Sequence, residues 1–153
     1  MTFKTLLFSL LFTITLTSVF AQSNPDYYIS KTINYSFDDA TDRVKEALKE
    51  QDFGIITEIN MVEKLKESIA NVEIKPYKIL GACNPEFAYQ TLLVEENIGL
   101  FLPCKILVKQ VDENTTEVVM VNPSVLMQML GNEKLTKVAD EVTNRFKKAM
   151  ESL

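Results

Sequence analysis

Two thiols, Cys83 and Cys104, carry the clearest capacity for chemistry in this 153-residue sequence. They close a stretch, Gly81 to Cys104, that holds both cysteines, two of the four glycines and two of the five prolines. The chain contains no histidine. A Ser-His or Cys-His nucleophile pair and a His-ligated metal are therefore excluded. Cys83 directly precedes Asn84-Pro85, a good helix cap followed by a proline suited to the first helical position. A sulfur there is expected to feel the positive helix start, which lowers a thiol pKa. Cys104 opens a strand 21 residues later, a separation compatible with spatial closeness if the intervening helix crosses back over the sheet.

Three readings of the pair stay open. It is a structural disulfide of an oxidising compartment, favoured by the even count. It is a reactive pair used in redox exchange or sulfur handling. Or it is two thiols that only pack. The spacing is not Cys-x-x-Cys, so a thioredoxin-like motif is excluded. No metal and no cofactor are expected. Asn84, Tyr89 on the following helix, and Lys105 beside Cys104 join the cysteines as candidate binding residues around a pocket. For Tyr89 and Lys105 the plainer alternative is a surface position. Glu86 suits the first helical turn as a favourable charge on the dipole. Met120, Met127 and Met129 read as core filler.

These residues must be set in a frame. Lys4 followed by the uncharged run Leu6 to Phe20, with Val19-Phe20-Ala21 at its end, is the pattern of a secretory signal peptide over residues 1–21. The run is short for a membrane span and diluted by Ser and Thr. Cleavage would leave residues 22–153 as one domain, secreted and most simply periplasmic, with no stable membrane anchor. Without Lys4 the chain has 15 basic and 21 acidic residues, a net charge of −6. An acidic surface without a basic cluster repels phosphate backbones, which argues against nucleic acid as a partner.

Along the chain, Tyr27 to Tyr35 is β-prone. Ser36 and Asp39 begin a helix to about Gln51, with Ala40, Val44, Ala47 and Leu48 on one face. Phe53 to Met61 alternates, placing Phe53, Ile55, Thr57, Ile59 and Met61 on one side of a half-buried strand. A short helix, about Val62 to Asn71, and a strand, Val72 to Ala82, follow. The helix opened by Asn84-Pro85 ends before Gly99. Leu100 to Val111 then reads as a long apolar strand, and Thr115 to Val121 as its hairpin partner. Asn122-Pro123-Ser124 starts a helical piece. Glu133 to about Ser152 is a long amphipathic helix. This order predicts an α+β two-layer sandwich, a mostly antiparallel sheet of about four to five strands covered by helices.

Gly81-Ala82-Cys83-Asn84-Pro85, Ile98-Gly99-Leu100-Phe101-Leu102-Pro103-Cys104 and Val121-Asn122-Pro123 together resemble the signature of the domain of unknown function 302 family. Phe101 replaces a leucine of that pattern and Asn122 an aspartate. The resemblance runs from about Tyr27 onward. It implies a compact domain similar to the TATA-binding-protein-like fold, commonly a homodimer. It implies no activity and no DNA binding. The expectation is a small binding or interaction domain with a pocket near the two cysteines, with a small-molecule ligand and a second copy of the chain as partners. The alternative is a thiol-dependent redox or sulfur-handling protein using Cys83 and Cys104.

Overall fold

The computed structural model describes residues 26–153, so the expected leader lies outside the described residues. Five strands form one sheet in the order β1-β5-β4-β3-β2. They are β1 (Tyr28–Ile33), β2 (Gly54–Asn60), β3 (Tyr77–Cys83), β4 (Cys104–Asp112) and β5 (Thr115–Val121). Every neighbouring pair is antiparallel. Helices α1 (Phe37–Lys49) and α5 (Glu133–Glu151) pack on one face. The α+β sandwich expected from the element order is the observed architecture.

Periodicity explains the packing. Ala40, Val44, Ala47 and Leu48 recur at helical spacing on α1, and Val142, Phe146, Ala149 and Met150 on α5. They meet Leu80, Ala82, Ile106, Val108, Val118 and Met120, the alternate residues of β3, β4 and β5. Helix α1 also bridges the whole sheet, because it leaves edge strand β1 and delivers the chain to the opposite edge, β2. A second, smaller apolar cluster gathers Ile98, Met127, Leu135 and Ala139.

Helix α1 ends as a Schellman motif. The Phe53 N–H donates to the Leu48 carbonyl and the Asp52 N–H to the Lys49 carbonyl, both at 3.0 Å. Asp52 takes the left-handed position with φ of 63°, where glycine is the usual occupant. Phe53 then turns inward, its ring 4.9 Å from that of Phe146.

Several expectations need correction. The clean alternation across β2 is broken by a bulge between Ile55 and Thr57. Ile55 pairs with core residue Ala82, but Glu58 pairs with Leu80 and Ile59 with Ile79. Glu58 therefore shares the helix-facing side, where it meets Lys45 of α1 at 2.7 Å and Lys78 at 2.8 Å. Ile59 is sent to the other face and is exposed. The long strand from Leu100 is also shorter than expected, because Glu96–Phe101 coils into a 3₁₀ helix and β4 begins only at Cys104. Gly99 lies inside that 3₁₀ helix rather than ending α3 (Pro85–Leu92). The short helix α2 covers only Met61–Lys66, and residues 67–76 are irregular.

Candidate functional site

The strand-to-helix junction at Cys83-Asn84-Pro85 is built by the asparagine. Its Oδ1 accepts the N–H groups of Glu86 at 3.0 Å and Phe87 at 3.1 Å. These first-turn donors have no partner within the helix. Its Nδ2 donates to the Asp52 carbonyl at 3.0 Å, tying the junction to the end of α1. Asn84 is buried, with each end of its amide engaged. Arg145 of α5 braces the same turn. Its guanidinium donates to Asp52 Oδ2 at 2.8 Å and Glu141 Oε1 at 3.0 Å, and lies 4.9 Å from the Phe87 ring centre. These carboxylates raise the Arg145 pKa, Glu141 contributing most.

Gly81 explains the proximity of the two cysteine motifs. A Cβ there would stand 2.5 Å from Pro103 Cγ and would also collide with Thr57 Oγ1. Pro103 thus lies directly across the bare backbone of its neighbour strand. The peptide between Leu102 and Pro103 is cis.

Both cysteines are free thiols. The partner of Cys104 across the β3–β4 ladder is Ala82, not Cys83. Successive side chains of a strand point to opposite faces, so the two sulfurs do not oppose one another. The intervening helix does return the chain to the adjacent strand, but one residue out of step for pairing. The expected acidic Cys83 is not found either. Burial raises its pKa. Cys83 is the last residue of β3, and the first-turn N–H groups are taken by Asn84. Burial pushes Cys104 further, to about 11, with Cys83 adding to the shift and Lys105 opposing it.

A cavity of about 250 Å³ opens where the two apolar clusters meet. Its floor is the end of the sheet at Ala82, Cys83, Cys104 and Val121. Phe87, Ala88 and Thr91 of α3 form one wall. Leu126 and Met127 of α4 (Pro123–Gln128) with Val138 and Ala139 of α5 form another. Leu100, Phe101 and Leu102 close the remaining side. The structure brings Cys83, Asn84, Cys104 and Lys105 to this one cavity. Tyr89 is exposed on the helix and does not border it.

The apolar wall from α4 and α5 was not singled out in the sequence. Its residues follow ordinary core periodicity, and only the spatial gap between two clusters distinguishes them. Small side chains at Ala82, Ala88 and Ala139 are the faint signal, since they leave room where larger ones would fill it. Among the described residues, no group of three or more Cys, Asp or Glu side chains is placed to hold a metal ion. No helix of the described residues is long and apolar enough to cross a membrane.

Near the third motif, Asn122 holds the start of α4. Its Oδ1 accepts the Thr143 hydroxyl at 3.1 Å, and its Nδ2 donates to the Asp26 carbonyl at 3.1 Å. An aspartate in that position would retain the first bond and lose the second.

The family model described as Domain of unknown function DUF302 matches residues 29–153. The crystal structure of an uncharacterized conserved protein DUF302 from Bacillus stearothermophilus is similar, with a TM-score of 0.76 and 27% identity. That likeness covers 84% of this chain and 98% of the other. No curated protein matches the chain.

Proposed function

The chain belongs to the DUF302 family, and from that premise we propose that it is a secreted small-molecule binding domain whose ligand occupies the cavity at the Cys83–Cys104 end of the sheet. One observation carries the reading. The three signature segments, separate in sequence, all contribute to one cavity wall: Ala82 to Asn84, Leu100 to Leu102 with Cys104, and Val121 with Pro123. Concave, mostly apolar sites with a few polar groups are the usual form of small-ligand pockets. In this reading Cys83, Asn84, Cys104 and Lys105 belong to the binding wall, and Asn84 acts by holding α3 in place.

Secretion rests on the leader pattern of residues 1–21, and residues 22–153 would act as one domain. Dimer formation rests on the family resemblance and on the helix-free sheet face, which carries Ile59, Ile79 and Leu107. Thiol redox chemistry is the weaker reading, because both thiols are shifted toward the neutral form and do not oppose one another.

Benzene titrated into isotopically labelled protein tests the cavity reading. Amide and methyl shifts should change at Ala88, Leu102, Met127 and Val138, and saturate together. A spectrum unchanged at those residues sinks the proposal.

A further inference from the structure

We propose that the ligand is a compact, uncharged aromatic compound of one or two rings. This deepens the proposed binding function and rests on it. The first support is charge. Among the described residues, Lys105 is the only charged one that borders the cavity. It pairs with Gly81, whereas its neighbours Cys104 and Ile106 pair with Ala82 and Leu80. Successive side chains of a strand alternate between faces, so Lys105 belongs to the face opposite Ala82 and Ile106. Its Nζ donates to the Pro103 carbonyl at 2.7 Å, and Pro103 does not border the cavity. A charged ligand would lose its hydration there and meet no counter-charge.

The second support is the state of the polar side chains in the wall. Asn84 bonds through both ends of its amide. The Thr91 hydroxyl faces the carbonyls of Phe87 and Ala88 at 3.0 and 2.9 Å. A ligand rich in hydrogen-bonding groups would exchange water for side chains that already have partners. A hydrocarbon loses no hydrogen bond on entering and gains from burial. Burial acts on the protein's own groups in the same sense, since it favours the neutral form of both thiols.

Size and wall chemistry are the third. An apolar cavity of about 150 Å³ holds benzene, so the 250 Å³ here accommodates a substituted ring or a fused pair. The adjoining depression brings in Glu95, Asn97 and Asn132, none of which borders the cavity. The apolar lining thus ends there, and a long chain would have to leave it. Phe53 and Phe87 line the cavity with ring centres 6.4 Å apart, a separation at which aromatic rings attract one another. Met127 and Cys104 add sulfur to the same lining. Sulfur is polarizable and favours contact with an aromatic ring over a saturated one.

Titration of the labelled protein with matched probes tests the inference, read at Ala88, Leu102, Met127 and Val138. Toluene should bind about fourfold more tightly than benzene, for one added carbon. Methylcyclohexane should bind about threefold more weakly than toluene. Benzoate and benzylammonium should bind at least about a hundredfold more weakly. From toluene to pentylbenzene the affinity should stop rising once the volume is filled. Ala88→Phe and Val138→Phe should each block toluene; a retained melting transition shows which variant has folded. Benzoate or benzylammonium binding as tightly as toluene overturns the assignment. So does methylcyclohexane binding more tightly than toluene, or affinity that climbs steadily through pentylbenzene. Any of these results with benzene still bound at the four residues leaves the cavity reading standing. Benzene and toluene both silent there, or both unaffected by a folded blocking variant, removes the two together.

Discussion

The Asn84 side-chain amide donates to the backbone carbonyl of Asp52, 32 residues earlier, at 3.0 Å. The bond joins the start of α3 to the only described non-glycine residue with positive φ. One side chain therefore caps a helix and holds the turn that aims Phe53 into the core. Asn84→Ala should destabilise the fold by about 2 kcal/mol, from the lost cap and the orphaned carbonyl. Asn84→Asp keeps the acceptor and should cost about 1 kcal/mol, since it removes only the donor. Urea unfolding midpoints would rank the two; equal losses would mean that the Asp52 bond contributes nothing.

Gly81 should tolerate no side chain. Gly81→Ala forces a methyl group against Pro103 and Thr57, and overpacking of this kind costs about 1–3 kcal/mol. Combining it with Thr57→Ala should recover part of the loss by removing one obstacle. Additive losses in a double-mutant cycle would argue against the collision.

Thiol reactivity should be low and should rise only in alkali. Burial raises both pKa values, Cys104 to about 11 from an ordinary 9.0. The native protein should therefore react slowly with iodoacetamide at pH 7, because the thiolate is the nucleophile. Folded protein holds the Cys104 proton more tightly than unfolded chain does. That contribution to stability is complete below pH 9 and is lost as pH rises through about 11. Wild type should lose more stability over this interval than Cys104→Ala. Rapid alkylation of native Cys104 at neutral pH would contradict the buried, neutral thiol.

Filling the cavity should separate stability from binding. Ala139 lies on α5 with its side chain on the cavity wall. Ala139→Leu places hydrocarbon in existing space and should stabilise by on the order of 1 kcal/mol. It should also weaken benzene binding, because both compete for one volume. A lower melting temperature would mean that the wall cannot accept the larger side chain.

Much of this frame was legible from periodicity and caps. Ser36 and Asn84 begin helices as their types suggest, and the stripes on α1 and α5 are buried as spaced. The errors share a physical cause, in that local pattern does not report what a neighbouring strand does. Nothing in Ile55-Ile56-Thr57 announces a bulge, which is visible only in its pairing with β3. The left-handed position falls at Asp52 rather than at a glycine, and it is held by Asn84 and Arg145. The cysteines were found, but their relation depends on a one-residue register that sequence spacing does not encode. The cavity is a gap between two clusters, and no single stretch of sequence contains it.

The bulge at Ile56 bears on how the protein survives at high concentration. β2 is an edge strand with Ile56 and Ile59 exposed, a composition that invites another chain to add itself in β-ladder fashion. Two residues opposing one interrupt the repeat that an incoming strand must match. The neighbouring Glu58, ion-paired to Lys45 and Lys78, places charge on the inward side of the same edge. The irregularity that spoils the simple alternation thus acts as a guard against fibrillar growth, and straightening it by deleting Ile56 would leave a regular, aggregation-prone edge.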